Sequence, residues 1–401
     1  MNMNDTPFLL TKIECPVCKT LNEFESIKVG AYVEGGRDTD FCPIDITWRY
    51  SRYQAYNPLV FFAGTCNNCF YTRELTQSYK EWKNDNQYRA YRLKVVKEKH
   101  LDQIASADSW VKQVGQAIDT HRYPNESGIL RITLAIYDEL LTDHYSKLDI
   151  GRFYLRIAWL FRVLMSGENP NLSFVQGLLT EIDKKYQSFK GSIGSCHEEM
   201  GLFARHLNKH IEATEISTDL RARMNPFQDR FKSNLEQYDE QFKALAQHMT
   251  ATENLIADYH SAVYGGSTPG NGATFHQHNS LVDFLIDMKR HWSGIVVSER
   301  EALVEAISCY KEAFSEARDI QPGNQQLQAS YLIAELSRRV GDYEGAKQYF
   351  NSTIKAGQDF VYRNRQDQAR TALARKILEL AIEQGRATME ALRTSNSPVA
   401  V

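Results

Sequence analysis

The sequence lacks the features that would assign it quickly to a functional class. Its 47 basic and 50 acidic side chains nearly cancel, which leaves a formal charge of −3. This balance provides no excess positive charge to attract phosphate groups, so it argues against a nucleic-acid partner. The chain also has no Gly-rich phosphate loop, serine nucleophile elbow or dinucleotide fingerprint. Composition and motifs therefore indicate none of the enzyme classes that these signatures mark.

Long apolar runs are missing as well. The most apolar stretch, FYLRIAWLFRVLM, is interrupted by Arg156 and Arg162 and is shorter than the ~20 residues that span a bilayer. The first residues do not have the charged start, apolar core and cleavage site of a secretory signal. We therefore expect a cytoplasmic protein without membrane contact. In that reducing compartment, the seven cysteines argue against a disulfide framework.

What the sequence does have is two Cys-x-x-Cys pairs. Cys15 and Cys18 form the first pair, and Cys66 and Cys69 form the second. A two-residue spacer lets a tight turn aim both sulfurs at one point, and two such pairs close a tetrahedral site whose usual occupant is zinc. Each pair follows an apolar run typical of a strand, as in a zinc ribbon. Because four thiolates leave no open coordination position, we predict a structural zinc.

The spacing of the two pairs leaves alternatives open. The 47 residues between Cys18 and Cys66 exceed the usual spacing of a ribbon. Unpaired structural cysteines or a redox pair are the alternatives, although the βαβ context of a thioredoxin-type pair is missing. Cys42 lies between the two pairs and is a spare thiol, a small buried side chain or a substitute ligand.

The N-terminal segment has the composition of a small β module. Residues 1–80 carry four Lys and four Arg against four Asp and five Glu, a net charge of −1, the opposite of a phosphate-tracking surface. Its aromatic side chains can stack on bases, but such a cluster is more often the core of a small domain. We predict a zinc-ribbon-like module over residues 1–85. The aromatic residues are Phe41, Trp48, Tyr50, Tyr53, Tyr56, Phe61, Phe62, Phe70 and Tyr71.

Beyond this module the sequence predicts a mainly α fold, because prolines become sparse and apolar residues recur three and four positions apart. Residues 86–170 form a first helical block, in which GILRITLAIYDELLTDHY and IGRFYLRIAWLFRVLM are expected to be antiparallel neighbours. The first helix of the block carries a basic run. We interpret this run as a solvated face, with an anionic partner as the alternative. The basic residues are Arg89, Arg92, Lys94, Lys97 and Lys99.

Residues 279–390 have the pattern of tetratricopeptide-like repeats. In YLIAELSRRVGDYEGAKQYFNSTIKAG, Ala346 is the small residue expected at a helix crossing and Phe350 is the large apolar plug. Ala306 and Tyr310 precede these two residues by 40 positions, whereas the ideal period is about 34. We predict a few degenerate repeats whose stacked helix pairs form a concave surface for a peptide or protein partner.

The region between these blocks, 171–264, has a different period. Over 179–207 the apolar residues step by alternating three and four positions, which predicts a coiled coil. Pro226 is expected to separate two long helices, which form either an antiparallel hairpin or the seam of a homodimer. A flexible loop at 265–278 and a disordered tail at 391–401 complete the predicted organisation.

Three weaker groups of side chains have the spacing of a metal or acid–base site. The HLNKH stretch lacks the glutamate of a zinc-protease helix, and the two histidines of the Gly-rich loop would form only a loose clip. The closely spaced aspartates of GRDTDFC favour turn formation over acid–base chemistry. The residues concerned are His206 and His210 with Cys196 and His197, His276 with His278, and Asp38 with Asp40.

The order of the motifs resembles a bacterial group, the domain-of-unknown-function family 2225. The matching motifs are CPVC, RDTDF, NPLVFFAGTCNNCFYT, IGRFYLRIAWLFR and GDYEGAKQYF. They lie within roughly residues 8–165 and 280–385, so the coiled-coil region resembles an insertion. The resemblance implies a cysteine-based metal module joined to tetratricopeptide-like helices, and it implies no activity. In family members the residue directly after the second cysteine pair is often glycine, whereas this chain has Phe70 there.

We therefore expect a non-enzymatic interaction protein, a scaffold or adaptor, with a structural zinc site. One alternative is a nucleic-acid-associated factor that uses the module and the basic helix 88–100. Salt-dependent binding would distinguish it. The other is an enzyme with a pocket between the module and the helices, which would require titratable groups of shifted pKa in a cleft.

Overall fold

The computed structural model describes residues 6–50, 53–54, 56–143, 145–165, 170–214, 218–264, 275–316 and 319–395. Over these residues the fold is mainly α, with small β-hairpins at the N-terminal end, as predicted. The chain divides into two compact units. One comprises Met1–Pro170 with Gly272–Val401, and the other comprises Asn171–Asn271. Within the described ranges, none of the helices combines the length and apolarity that crossing a membrane requires.

Three two-stranded antiparallel hairpins form the N-terminal module. They pair β1 (Phe8–Glu14) with β2 (Leu21–Ile27), β3 (Tyr32–Arg37) with β4 (Pro43–Trp48), and β5 (Ala63–Thr65) with β6 (Thr72–Glu74). In the first hairpin Glu14 pairs with Leu21, and in the third Thr65 pairs with Thr72. Each of these closing pairs encloses one Cys-x-x-Cys sequence, so both cysteine pairs occupy hairpin tips.

The aromatic residues of this module form a core, as their composition indicated. Phe8 packs against Trp48, Tyr53 and Phe61, with a ring-centroid distance of 4.4 Å to Phe61. The indole Nε1 of Trp48 donates a hydrogen bond to the carbonyl oxygen of Tyr56 at 2.8 Å. Phe8, Trp48 and Phe61 are buried in this cluster, and Tyr53 and Tyr56 are partly buried against it.

The main core of the first unit is centred on helices α4 (Pro124–Leu140) and α5 (Lys147–Met165). α4 starts at a proline in its first turn, a position that tolerates the missing N–H. α5 packs against α4 and α9, and Gly151 lets α5 approach α9 because a Cβ there would lie 3.2 Å from the Tyr310 ring. The helices are α1 (Gln77–Lys80), α2 (Leu93–Ala105), α3 (Trp110–Gln116), α4 (Pro124–Leu140), α5 (Lys147–Met165), α8 (Leu281–Lys289), α9 (Glu299–Glu316), α10 (Asn324–Arg339), α11 (Tyr343–Arg363) and α12 (Gln368–Ser395).

The turn between α10 and α11 is formed by a glycine and a capping aspartate. Gly341 has a φ of 85°, which a residue without a side chain adopts at no steric cost. The carboxylate of Asp342 then caps α11 by accepting a hydrogen bond from the N–H of Gly345 at 3.0 Å. Ala346 and Phe350 are both buried, in one cluster that α10, α11 and α12 share.

The second unit consists of α6 (Pro170–Thr214) and α7 (Thr218–Tyr264). Their contacts run antiparallel. The Tyr186 hydroxyl donates to the carbonyl oxygen of Met249 at 2.8 Å, the His197 ring stacks on Phe242 with centroids 3.8 Å apart, and Phe203 meets Phe231. Within one chain the two helices therefore form a hairpin.

The expected break at Pro226 is wrong, because this proline lies inside α7. A proline removes one backbone hydrogen bond and crowds the carbonyl four residues earlier, which costs about 3 kcal/mol. The long apolar pattern that continues after it keeps the helix intact. α6 ends earlier, at Thr214, and α7 begins at Thr218.

Two other boundaries differ from the prediction. The predicted loop at 265–278 is described only from residue 275, and there Phe275 is buried and forms a β-bridge with His278. α12 continues to Ser395, five residues into the predicted tail at 391–401. The remaining parts of both segments, 265–274 and 396–401, lie outside the described residues.

Candidate metal centre

The two hairpin tips adopt the same knuckle conformation. In the first, the N–H of Cys15 donates to the carbonyl oxygen of Thr20 at 2.8 Å, and the N–H of Lys19 donates back to Cys15 at 3.0 Å. In the second, the N–H of Cys66 donates to Tyr71, and that of Phe70 donates to Cys66, both at 2.9 Å. This reciprocal pattern folds each tip around its first cysteine, so that both sulfurs of a pair point the same way.

The left-handed conformation of one residue closes each knuckle. Lys19 has a φ of 66° and Phe70 a φ of 62°. Both residues directly follow the second cysteine of their pair, and the position suits glycine because side chains with a Cβ are strained there. Glycine would adopt this conformation without strain. Phe70 is strained there, so a favourable contact elsewhere has to offset the strain.

Phe70 obtains this compensation from helix α3. A Cβ added at Gly115 would overlap the Phe70 ring, so the missing side chain of Gly115 makes the space that the ring occupies. Phe70 is partly buried against the main core of the first unit. The departure from glycine therefore leaves the knuckle turn intact and adds an apolar contact between the second knuckle and α3.

The four sulfurs of the two knuckles converge. The Sγ atoms of Cys15 and Cys69 are 3.6 Å apart, and those of Cys18 and Cys66 are 3.5 Å apart. All four Sγ atoms lie within 4.8 Å of one another, and none of them is in a disulfide. A tetrahedral zinc with sulfur ligands at about 2.3 Å requires sulfur separations of about 3.8 Å. The arrangement therefore fits a single tetrahedral ion.

Three of the four cysteines are shielded from water, and a buried side chain holds the two knuckles together. Cys15, Cys66 and Cys69 are buried, and Cys18 is partly exposed. The buried Asn22 donates its amide N–H to the sulfur of Cys66 at 3.4 Å and accepts the N–H of Asn67 at 2.9 Å. Since Asn22 belongs to β2, it links the first hairpin to the tip of the third.

The proximity of the thiols shifts their proton affinities. The hydrogen bond with Cys15 lowers the pKa of Cys66 well below the ordinary value. The same bond raises the pKa of Cys15, and the contact with Cys15 raises that of Cys69. Burial disfavours the Cys18 thiolate, but hydrogen bonds with Thr20 outweigh this and lower its pKa. The four thiols are therefore coupled to one another, and their cluster is able to hold a metal ion.

A buried His–Asp pair connects the second knuckle to the helices. The Nε2 atom of His100 on α2 lies 2.8 Å from the carbonyl oxygen of Cys69. Its Nδ1 atom lies 2.7 Å from Oδ1 of Asp138 on α4, whose Oδ2 accepts the N–H of Thr72 at 2.7 Å. Burial works against protonation of His100, but the Asp138 charge raises the pKa of the imidazole. This pair fixes the orientation of the knuckle without contacting a sulfur.

The other predicted metal ligands are placed elsewhere. Cys42 is buried beside β4, where burial raises its pKa to about 12, and it does not join the four-cysteine cluster. His197 stacks on Phe242, and the Nε2 of His276 lies 2.8 Å from the carbonyl oxygen of Ala117. His278 faces Asp287 at 3.5 Å. In the part of the chain that is described, the four cysteines are the one group able to share an ion.

The two aspartates of the GRDTDFC loop do form a turn, but they also hold an ion-pair network. The N–H of Phe41 donates to the carbonyl oxygen of Asp38 at 2.9 Å, which closes the turn. The Asp38 carboxylate lies 2.9 Å from Arg339 on α10, and the fully buried Asp40 lies 2.7 Å from Arg162 on α5. The network docks the β3–β4 hairpin onto the helices.

Sequence reasoning missed His100, Asp138 and Asn22. The local pattern of KEKHLDQI predicts only a polar helix, and nothing in it indicates that His100 faces inward. Asp138 gives a weak signal, because a carboxylate within the apolar run LAIYDELL is costly to bury without a partner. The partner itself lies on another helix, so only the tertiary structure identifies it.

Together, these features define a mainly α protein that carries two facing cysteine knuckles at its N-terminal end. The family profile described as "Uncharacterized protein conserved in bacteria (DUF2225)" matches residues 8–202 and 285–375. The chain belongs to this family, as the motif order indicated. No curated protein and no solved structure matches the chain.

Proposed function

We propose that the protein is a non-enzymatic interaction scaffold whose N-terminal module is held together by one structural zinc ion. The observation that carries the zinc assignment is the convergence of the Cys15, Cys18, Cys66 and Cys69 sulfurs within 4.8 Å. Four thiolates saturate a tetrahedral ion and leave no position for water or substrate, which supports a structural and not a catalytic role. The zinc would contribute to folding, because it links two hairpins that are not paired in one sheet.

Cobalt substitution tests the metal site directly. Purified protein unfolded with chelator and refolded with Co²⁺ should give the visible absorption of tetrahedral cobalt together with intense sulfur-to-cobalt charge-transfer bands. Titrated Zn²⁺ should displace the cobalt and bleach both features. Replacing Cys15 by Ser should weaken the charge-transfer bands, whereas replacing the exposed Cys196 should leave them unchanged. Octahedral cobalt spectra, or equal spectra in both variants, would reject the site.

For the interaction function, the strongest support comes from helix α6. Ile182, Phe189, Cys196 and Phe203 follow one another at seven-residue intervals and are all exposed. Ile182 is 49% exposed, and Phe189 and Phe203 are each 54% exposed. Tyr186 and Phe203 both contact α7, at Met249 and Phe231. We propose that Ile182 and Phe189, which stay exposed, pack against the same residues of a second copy, because a seven-residue period is the signature of helices that pair along their length.

Light scattering coupled to size-exclusion chromatography tests this self-association. We expect a dimer for the wild type and a monomer for the double variant Ile182→Lys/Phe189→Lys, because two charges cannot be buried in the seam. The matched control is Val304→Lys, since Val304 is also an exposed apolar helical residue, on α9. A monomeric wild type across the accessible concentrations, or a double variant that remains dimeric, would reject the seam.

The predicted binding surface for a peptide or another protein is α8–α12. The packing of α9 on α10, of α10 on α11 and of α11 on α12 supports this proposal, because consecutive helix pairs stacked side by side create such surfaces. The nucleic-acid alternative has less support. Arg92 pairs with Glu139, and the Nζ of Lys99 donates to the carbonyl oxygen of Leu141, so part of the basic helix is already engaged by the protein.

A further inference from the structure

A cleft of about 310 Å³ lies in the first unit, between the β3–β4 hairpin and helices α5, α9 and α10. Its volume is at the lower end of the range found for small-molecule sites, about 300–1,000 Å³. Apolar side chains, among them Leu155, Leu332 and Pro58, line part of it. Arg156, Tyr310 and Trp159 add polar groups to the same wall. The cleft is separate from the cysteine cluster, since the two share no residue.

Arg156 brings a positive charge to this cleft, and burial lowers its pKa although the Glu74 charge works against that fall. Its guanidinium lies 4.1 Å above the Phe62 ring and donates a long hydrogen bond of 3.5 Å to the carbonyl oxygen of Arg152. Among the described residues it forms no ion pair within 4.0 Å, so Glu74 acts on it from a longer distance. The neighbouring cleft arginines differ, because Arg152 pairs with Asp149 and Arg37 pairs with Glu34. A half-buried guanidinium without a carboxylate partner is unusual and attracts an anion.

The Tyr310 hydroxyl supplies a second unsatisfied group. Tyr310 is 1% exposed, and its OH has no hydrogen-bond partner among the described residues. Leaving such a hydroxyl unpaired costs free energy comparable to a lost hydrogen bond. Arg156 and Arg152 are close enough that both charges act on the Tyr310 hydroxyl and oppose the pKa increase that burial causes. Both side chains line the same cleft.

We propose that this cleft binds a small organic anion, with its oxyanion head group held by Arg156 and the Tyr310 hydroxyl and its apolar part against the leucines. Arginine binds carboxylate and phosphate oxygens through charge-assisted hydrogen bonds, and a tyrosine hydroxyl donates one more. The small volume favours a ligand of about one ring in size. This site does not depend on the zinc centre or on self-association.

Calorimetric titration of the full-length protein tests the site with three probes of the same shape. Benzoate and phenyl phosphate carry the two oxyanion head groups, and benzyl alcohol is their neutral counterpart. We expect at least one of the anions to bind on the order of tenfold more tightly than the alcohol. The stronger of the two anions identifies the head group. If neither anion binds at millimolar concentration, or if the alcohol binds equally well, the proposal is wrong.

Variants locate the binding in the cleft. Arg156→Gln should lower the affinity for the anion by on the order of tenfold. Tyr310→Phe should lower this affinity less. The melting temperature of Tyr310→Phe should be unchanged or raised, because the substitution removes an unpaired buried hydroxyl. The charge-matched control Arg365→Gln, outside the cleft lining, should bind like the wild type. Unchanged affinity in both cleft variants would overturn the proposal. If Arg156→Gln fails to fold, unchanged affinity in Tyr310→Phe alone overturns it.

Trp159 offers an independent readout, because it lines the cleft and its indole donates to Asp40 at 3.2 Å. Anion binding should change the tryptophan fluorescence of the wild type, and Trp159→Phe should abolish that change while binding heat persists. A fluorescence change that survives in Trp159→Phe would place the anion elsewhere and contradict the proposal.

Discussion

The Nε2 atom of His100 lies 2.8 Å from the carbonyl oxygen of Cys69. The other ring nitrogen faces Asp138, so a buried pair joins the second cysteine knuckle to two helices. Because neither residue contacts a sulfur, the pair positions the four-cysteine cluster without belonging to it. The cluster and the helical core are therefore parts of one packed structure.

Removing this link should destabilise the protein without removing the metal. His100→Ala leaves the buried Asp138 carboxylate without its partner, and we expect a loss of about 3–5 kcal/mol in the free energy of unfolding. The exposed His210 on α6 provides the matched control, since His210→Ala should change stability by less than about 0.5 kcal/mol. Urea unfolding followed by circular dichroism measures both.

The metal content of His100→Ala separates positioning from coordination. All four cysteines remain in this variant, so zinc should still copurify with the folded fraction. Loss of zinc from folded His100→Ala would show that the imidazole takes part in the site itself, and a stability equal to that of His210→Ala would show that the link is dispensable.

The packing of Phe70 over Gly115 can be tested by adding a side chain at position 115. Gly115→Ala places a Cβ where the Phe70 ring lies, so we expect a loss of about 1–3 kcal/mol. Gly191→Ala is the matched control, because a Cβ at this position on α6 meets nothing within 4 Å. That control should gain about 0.5–1 kcal/mol from the better helix propensity of alanine.

A double variant shows whether the two positions act through one another. Phe70→Gly should relieve the overlap in Gly115→Ala, so the combined loss should be smaller than the sum of the two single losses. If the loss in the double variant equals the sum of the two single losses in thermal unfolding, the Phe70 ring moves away from the added methyl group freely. The contact with α3 would then not explain why this turn accepts phenylalanine.

The ion pairs of Asp38 predict a loss of stability in acid. Burial disfavours the Asp38 carboxylate, but the N–H of Thr39 and the Arg339 guanidinium outweigh this and lower its pKa below the ordinary value of 3.8. Since the folded pKa is the lower one, the stabilisation is complete above that ordinary value and disappears as the pH falls through the folded pKa.

We therefore expect the stability difference between wild type and Asp38→Asn to be constant near neutral pH and to shrink below about pH 4. Denaturant unfolding at a series of pH values measures this difference. A difference that is independent of pH down to strong acid, or one that grows there, would contradict the assigned ion pairs with Arg339 and Arg162.

The sequence was most informative where function depends on short-range spacing. The two-residue spacers predicted that the sulfurs of each cysteine pair would point together, and the period of the apolar residues predicted the mainly α remainder. Both are local patterns. The long gap between Cys18 and Cys66 did not prevent convergence, because the intervening β3–β4 hairpin docks on α5 and α10 through Asp38 and Asp40.

Long-range pairings were not predictable in the same way. The motif RDTDF predicted a turn, but its arginine partners lie 122 and 300 residues away along the chain. Pro226 was misplaced because the local rule that proline ends a helix was outweighed by the continuing apolar pattern of α7. Tertiary packing decides such cases, and a single sequence does not record it.

The metal content of the purified protein shows whether the four cysteines hold a structural zinc. Elemental analysis of the purified wild type, of Cys66→Ser and of the exposed-cysteine control Cys196→Ser should be made on the same preparation scale. The account predicts one zinc per chain in the wild type and in the control, and little zinc with a disordered N-terminal module in Cys66→Ser. A wild type without metal, or a Cys66→Ser variant that retains a full zinc complement, would contradict it.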